Sequence, residues 1–165
     1  MKTIIQKILC AVLISLPNYG LAQTLGYTQA TDIDVNGIFI GGTYTKAQVQ
    51  AQWGGATQYW SNMSENGLDE SYDYSINQLN NQFLFGENGT FHTFNIRVSN
   101  FAVYTAFSGG IKVGDNISRI QSIGLGTPVL QSNGAYKLWR NNGEDPITFH
   151  HSNGIITRIY FMTSI

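Results

Sequence analysis

The chain predicts an α+β fold made of two tandem copies of one unit, each a helical segment packed on an antiparallel β-sheet. Three observations lead there. Residues 37–48 and 110–121 share one pattern at an offset of 73 positions. Strand-like alternation recurs around Asn-Gly pairs, the dipeptide that best tolerates the positive φ angles of a tight hairpin. Short segments at helical spacing follow Thr45 and precede glycine-rich stops.

Taken in order, residues 1–22 have the form of a signal peptide. Lys2 and Lys7 precede an apolar run from Ile8 to Leu16, Pro17 breaks it, and Gly20-Leu21-Ala22 offers small residues for cleavage. The run is too short to span a bilayer, and no second span follows. Cys10 is the sole cysteine and lies in this leader, without a lipoprotein box around it. The exported chain would therefore have no disulfide and must rely on its core. About 143 residues are enough for one. Loss of Lys2 and Lys7 leaves seven Lys and Arg against ten Asp and Glu, a net charge of −3. No clustered basic face favours nucleic acid.

Residues 23–36 read as an N-terminal linker, followed by repeat 1 over 37–98 and repeat 2 over 99–165. The linker ends in Asp32-x-Asp34-x-Asn36-Gly37, which has the spacing of a calcium loop. Such a loop needs six to eight oxygens and usually a glutamate at its twelfth position. Thr43 stands there, and Ile38 and Ile40 fill two further ligand positions. The stretch is expected to begin a structural unit instead.

In both copies a glycine precedes two β-branched residues on one strand face, Ile38 and Ile40 or Ile111 and Val113. A glycine turn follows, then a cap and a short helix. The first helix is expected over Thr45 to Trp53, and the second around Ile117, Ile120 and Ile123. Tyr72-Asp73-Tyr74 and Tyr136-Lys137-Leu138-Trp139 read as corresponding strands. Hairpins are expected over 83–96 and 147–161, turning at Asn88-Gly89 and Asn153-Gly154. Phe101 to Phe107 is a further strand between the halves.

Chemistry is sparse. His92, His150 and His151 are candidate ligands, but adjacent strand residues point to opposite faces, so one site is not expected to use both His150 and His151. Asp69, Glu70 and Asp73 cluster, and they read as a solvated turn and strand edge. There is no Gly-x-Ser-x-Gly, no Walker loop and no nucleophilic cysteine. No catalytic residue, metal or cofactor is assigned. Aromatics are the stronger lead: Trp53, Tyr59, Trp60, Tyr72, Tyr74, Tyr136, Trp139 and Tyr160 exceed what a small core requires, and such side chains concentrate interface energy.

Phe107-x-Gly109-Gly110-Ile111-Lys112-Val113-Gly114-Asp115-Asn116-Ile117-Ser118, then a helix, Gly126-x-Pro128, a tyrosine strand and Phe149-x-x-x-Asn153-Gly154-x-Ile156-x-x-Ile159, resembles a repeat of the BamE-like (SmpA/OmlA) and β-lactamase-inhibitor-protein (BLIP) fold. The resemblance covers residues 35 to 165, and copy one departs from it at Gly41-Gly42-Thr43. It implies an exported binding or assembly protein with a concave aromatic sheet surface. The expected function is binding of another protein, in the manner of an inhibitor or immunity protein, in the periplasm or outside the cell. Tyr72, Tyr74, Tyr136, Trp139, Arg140 and Tyr160 are the expected contact residues. The alternative is an envelope assembly factor of the BamE kind. A small hydrolase or metal-dependent enzyme is the third.

Overall fold

The computed structural model describes residues 33–65, 67–105, 108–123, 127–139 and 145–163. The leader, Asp32, Phe107 and Arg140 lie outside them. The chain opens with a hairpin, β1 (Ile33–Val35) and β2 (Ile38–Phe39), followed by α1 (Lys46–Trp53). Four strands then run as an antiparallel meander: β3 (Gln58–Ser64), β4 (Gly67–Ile76), β5 (Leu79–Gly86) and β6 (Thr90–Ile96). The second half repeats this order. A hairpin of β7 (Ala102–Thr105) and β8 (Ser108–Lys112) leads to a 3-10 helix, Ile117–Ile123. A second meander follows: β9 (Val129–Leu130), β10 (Tyr136–Leu138), β11 (Ile147–Ser152) and β12 (Ile155–Met162).

The two halves merge in both layers. The hairpins join through β1 and β7 into a four-stranded sheet ordered β2-β1-β7-β8. The meanders join through β6 and β12 into an eight-stranded sheet ordered β3-β4-β5-β6-β12-β11-β10-β9. Phe94 and Phe161 stack at 5.5 Å across the seam between β6 and β12.

This corrects the expected fold class. The protein is mostly β, two antiparallel sheets with little helix, and not a pair of helix-on-sheet repeats. Each helical segment is too short to cover a sheet. Of α1 only Val49 is fully buried. In the core, the small sheet supplies Ile33, Val35, Ile38, Val103 and Ile111 opposite the rings of the large one. Strand β1 lies within the stretch read as linker. What resembled a calcium loop is its hairpin turn, with Asn36 and Gly37 at φ 45° and 87°. That is the positive-φ pair of a two-residue hairpin.

Local signals read from sequence hold where the chemistry is local. Thr45 caps α1: its hydroxyl accepts from the Gln48 backbone N–H at 3.3 Å, and the Gln48 side chain accepts from the Thr45 N–H at 2.8 Å. That is a capping box. Ile117 and Ile120 sit three apart, the period of a 3-10 helix in which such side chains eclipse. Gly89 has φ +76°, and a Cβ there would lie 2.3 Å from the Tyr44 carbonyl oxygen. Only glycine allows that approach. The turn between β4 and β5 breaks the pattern. Asn77 and Gln78 both have positive φ, 49° and 66°. A side chain at Gln78 is strained there, so Gln78→Gly is expected to stabilise by about 0.5–1 kcal/mol, read as a raised urea midpoint.

Candidate functional site

The pleat of the large sheet decides which rings are available. Cross-strand register runs Tyr59↔Tyr72↔Phe83↔Phe94↔Phe161. These residues share the face turned to the small sheet, and Tyr72, Phe83, Phe94 and Phe161 are all fully buried. Tyr74 is on the same face and donates from its hydroxyl to the Gly54 carbonyl at 3.1 Å. Burial pushes the Tyr74 phenol up to about 12. Tyr72 is raised further, first by burial and then by the charge of Glu70. As contact residues, Tyr72 and Tyr74 are therefore misplaced: they do share a face, but it is the core face.

The opposite face carries the exposed rings. Two register rows cross it. One is Trp60↔Ser71↔Leu84↔Thr93↔Met162, and the other Gln58↔Asp73↔Gln82↔Asn95↔Tyr160↔Thr148↔Lys137. Successive members lie two apart along each strand, so both rows share one surface. Its exposure is uneven: Ser71, Asp73 and Thr93 on it are buried, while Trp60 and Met162 at the ends of one row are open. Trp60 is 46% exposed and Met162 54%. Trp139 follows the end of β10 at 39% exposure, with the Lys137 ammonium 5.6 Å from its ring.

Tyr160 is half-buried among polar neighbours. The Arg158 guanidinium lies over its ring at 5.1 Å, and Arg158 Nε donates to Asn95 Oδ1 at 2.7 Å. Cation–π contact and hydrogen bond hold both side chains in one pose. Of the six expected contact residues, Tyr160 and Trp139 stand on this open face. Tyr136 turns the other way, half-buried against the core, and Arg140 is outside the described residues. Leu84 and Met162 were missed, and Trp60, though among the aromatics singled out, was not among the six. Their signal was the alternation itself, which leaves apolar residues on both faces of these strands.

The acids are not a solvated turn. Glu70, on the core face, and Asp73, on the opposite face, are buried at 8% and 7% exposure. The Glu70 carboxylate accepts from the Tyr59 hydroxyl, and the Lys46 ammonium sits 3.4 Å from the centre of the Tyr59 ring. Asp73 Oδ1 accepts from Ser71 Oγ at 3.2 Å. Asp34 Oδ1 accepts from the Gly37 N–H at 2.7 Å, and Asn36 Oδ1 from the Ala102 N–H at 3.0 Å. Of the oxygens that suggested calcium, Asp34's therefore closes its own hairpin turn and Asn36's ties that hairpin to the second.

The two histidines lie beside a bulge in β12, where Thr157 is the extra residue between their partners Arg158 and Ile156. Both line one cavity of about 370 Å³ with Tyr136 and Leu130. His92 lies elsewhere, its Nδ1 2.8 Å from Thr93 Oγ1. Among the described residues no three His, Cys, Asp or Glu side chains converge on a metal position. A larger cavity of about 770 Å³ lies beside the small sheet, lined by Asp34, Asn36, Tyr104, Lys112 and Arg119. Its Asp34 and Asn36 oxygens serve the hairpin, and Arg119 pairs with Asp115 at 2.7 Å.

Burial lowers the pKa of His92, and burial together with Arg158 lowers that of His150. The folded state thus prefers both imidazoles neutral, and the unfolded chain binds protons first as pH falls. Their contribution to stability is complete above the ordinary histidine pKa of about 6.5 and is lost as pH falls below it. The urea midpoint is expected to drop between pH 7.5 and 5.5, and the drop should shrink in a His92→Gln, His150→Gln variant.

No protein family, no curated protein and no solved structure matches the chain. Among the described residues no helix is long and apolar enough to cross a membrane.

Proposed function

We propose that this chain is an exported protein-binding module that receives a partner on the outer face of its large sheet. The observation that carries this reading is the surface itself: Trp60, Leu84, Met162, Tyr160 and Trp139 share it across both halves, beside Arg158 and Lys137. Trp60, Leu84 and Met162 stand on one register row with Ser71 and Thr93 between them, so apolar and polar groups alternate across the surface. Tryptophan, tyrosine and arginine are the residues that carry most interface energy.

The face is also polarised. Its β10–β12 side has Lys137, Arg158 and His150, while Asp69 lies on β4. A partner with an apolar centre and a carboxylate over Arg158 and Lys137 fits it. An inhibitor or immunity protein works in this way, by occupying a surface and performing no chemistry. Export follows from the leader over residues 1–22.

A photo-crosslinking residue at position 139 is expected to trap one defined protein from the exported fraction of the producing cell. The same residue at Gln50, on exposed α1, should trap none. With that partner purified, Trp60→Ala and Tyr160→Ala should each weaken binding at least tenfold, whereas Tyr72→Phe should not. Equal trapping at both positions, or affinity indifferent to Trp60 and Tyr160, would reject the reading.

A further inference from the structure

Each sheet has two edges, and three of the four are blunted. Strands β2 and β9 have two residues each. Strand β8 carries two glycines, ends in Lys112, and has an extra residue where its register with β7 slips. Short length, lysine and irregular pairing are the devices that keep an edge from recruiting another strand. Strand β3 has none of them. It pairs with β4 in unbroken register over all seven residues, from Gln58↔Asp73 to Ser64↔Gly67. It contains no charge and no proline: Gln-Tyr-Trp-Ser-Asn-Met-Ser. Its other side pairs with no strand among the described residues. Met63 is 73% exposed, and Ser61 and Asn62 are exposed beside it.

We infer that β3 is a homodimerisation edge, joining antiparallel to β3 of a second copy so that the two large sheets continue as one. A strand edge presents N–H and C=O groups that only another extended backbone satisfies in series. A two-fold axis demands that the strand tolerate its own reversed sequence. Centred on Ser61, the axis sets the smallest side chain of this stretch against its twin. Trp60 then faces Asn62 of the other copy, and Tyr59 faces Met63. Like charges directly opposite would oppose pairing, and this strand has none. Thioether and aromatic ring attract at about 5 Å, often at the ring edge. Trp60 belongs to both surfaces, whereas Tyr160 and Trp139 belong to the open face alone.

Sedimentation of the purified chain is expected to show a dimer at micromolar concentration. In a Cys10→Ser background, Ser61→Cys should form a disulfide-linked dimer under mild oxidation, because directly opposed residues in an antiparallel pair have the Cα separation a disulfide needs. Gln50→Cys should not. Met63→Lys, which brings a second ammonium toward the Tyr59 ring already met by Lys46, should give a monomer with unchanged circular dichroism. A chain monomeric at every concentration, a Ser61→Cys variant that links no faster than Gln50→Cys, or a Met63→Lys variant that stays dimeric overturns the inference. A monomer would leave the open-face reading untouched, since that is tested by Tyr160 on β12, four strands away from β3.

Discussion

Trp53→Ala is expected to be the most damaging single substitution, costing about 3–5 kcal/mol by the usual range for a packed aromatic. The indole ends α1 and enters the core beneath the small sheet. Its centroid lies 4.4 Å from Phe83, 5.5 Å from Phe101 and 5.6 Å from Phe91. Phe83 belongs to the large sheet, and Phe101 to the segment that crosses between halves. Nε1 donates to the Val35 carbonyl at 3.0 Å, which reaches β1 of the small sheet. One side chain thus holds helix, both sheets and the crossover. Truncation leaves a cavity ringed by rigid aromatics and strips Val35 of its hydrogen bond. Domains of this size have about 5–15 kcal/mol of stability, so much of it would go. Trp53→Phe separates the two effects: it keeps much of the packing, loses the hydrogen bond, and should cost about 1–3 kcal/mol. Urea titrations of both variants make the comparison. Equal losses would show that packing around the ring is not what Trp53 supplies.

Asn81→Leu is expected to cost about 2–5 kcal/mol, although it replaces a polar group in the core with an apolar one of similar size. Asn81 is fully buried. Its Oδ1 accepts from the backbone N–H groups of Arg97 and Val98 at 2.7 and 2.9 Å, and its Nδ2 donates to Asn100 Oδ1 at 2.7 Å. These bonds shape the turn after β6, where the chain leaves the first meander for the second hairpin. Leucine would orphan two donors at once, each worth about 1–3 kcal/mol when buried and unpaired. Asn81→Asp retains both acceptor bonds but buries a carboxylate opposite Asn100 Oδ1, so it too should destabilise, and more at pH 7.5 than at pH 4. A leucine variant as stable as the wild type would mean that water reaches those amides.

Much of the local structure was legible because its causes are local. Asn88-Gly89 and Asn153-Gly154 need positive φ and turn wherever they occur. Thr45 and Gln48 satisfy each other's backbone within one helical turn. Ile38 and Ile111, 73 positions apart, are both buried on second strands of their hairpins. The site was legible only in part. Tyr72 and Tyr74 have the same alternation that Tyr160 and Trp139 suggest, but they look inward. A pattern of period two says that two residues share a face and is silent on which face is covered.

The amino-acid order alone determined the turns, the helix cap, the apolar strand segments and their recurrence, since each depends on φ preferences or hydrogen bonds within a few residues. Tertiary structure decided the rest. It set that β6 and β12 fuse two meanders into one sheet, that a second sheet and not helices covers its inner face, and that His150 and His151 line one cavity. Those outcomes depend on register between strands far apart in the chain, where a slip of one residue exchanges the buried face for the open one.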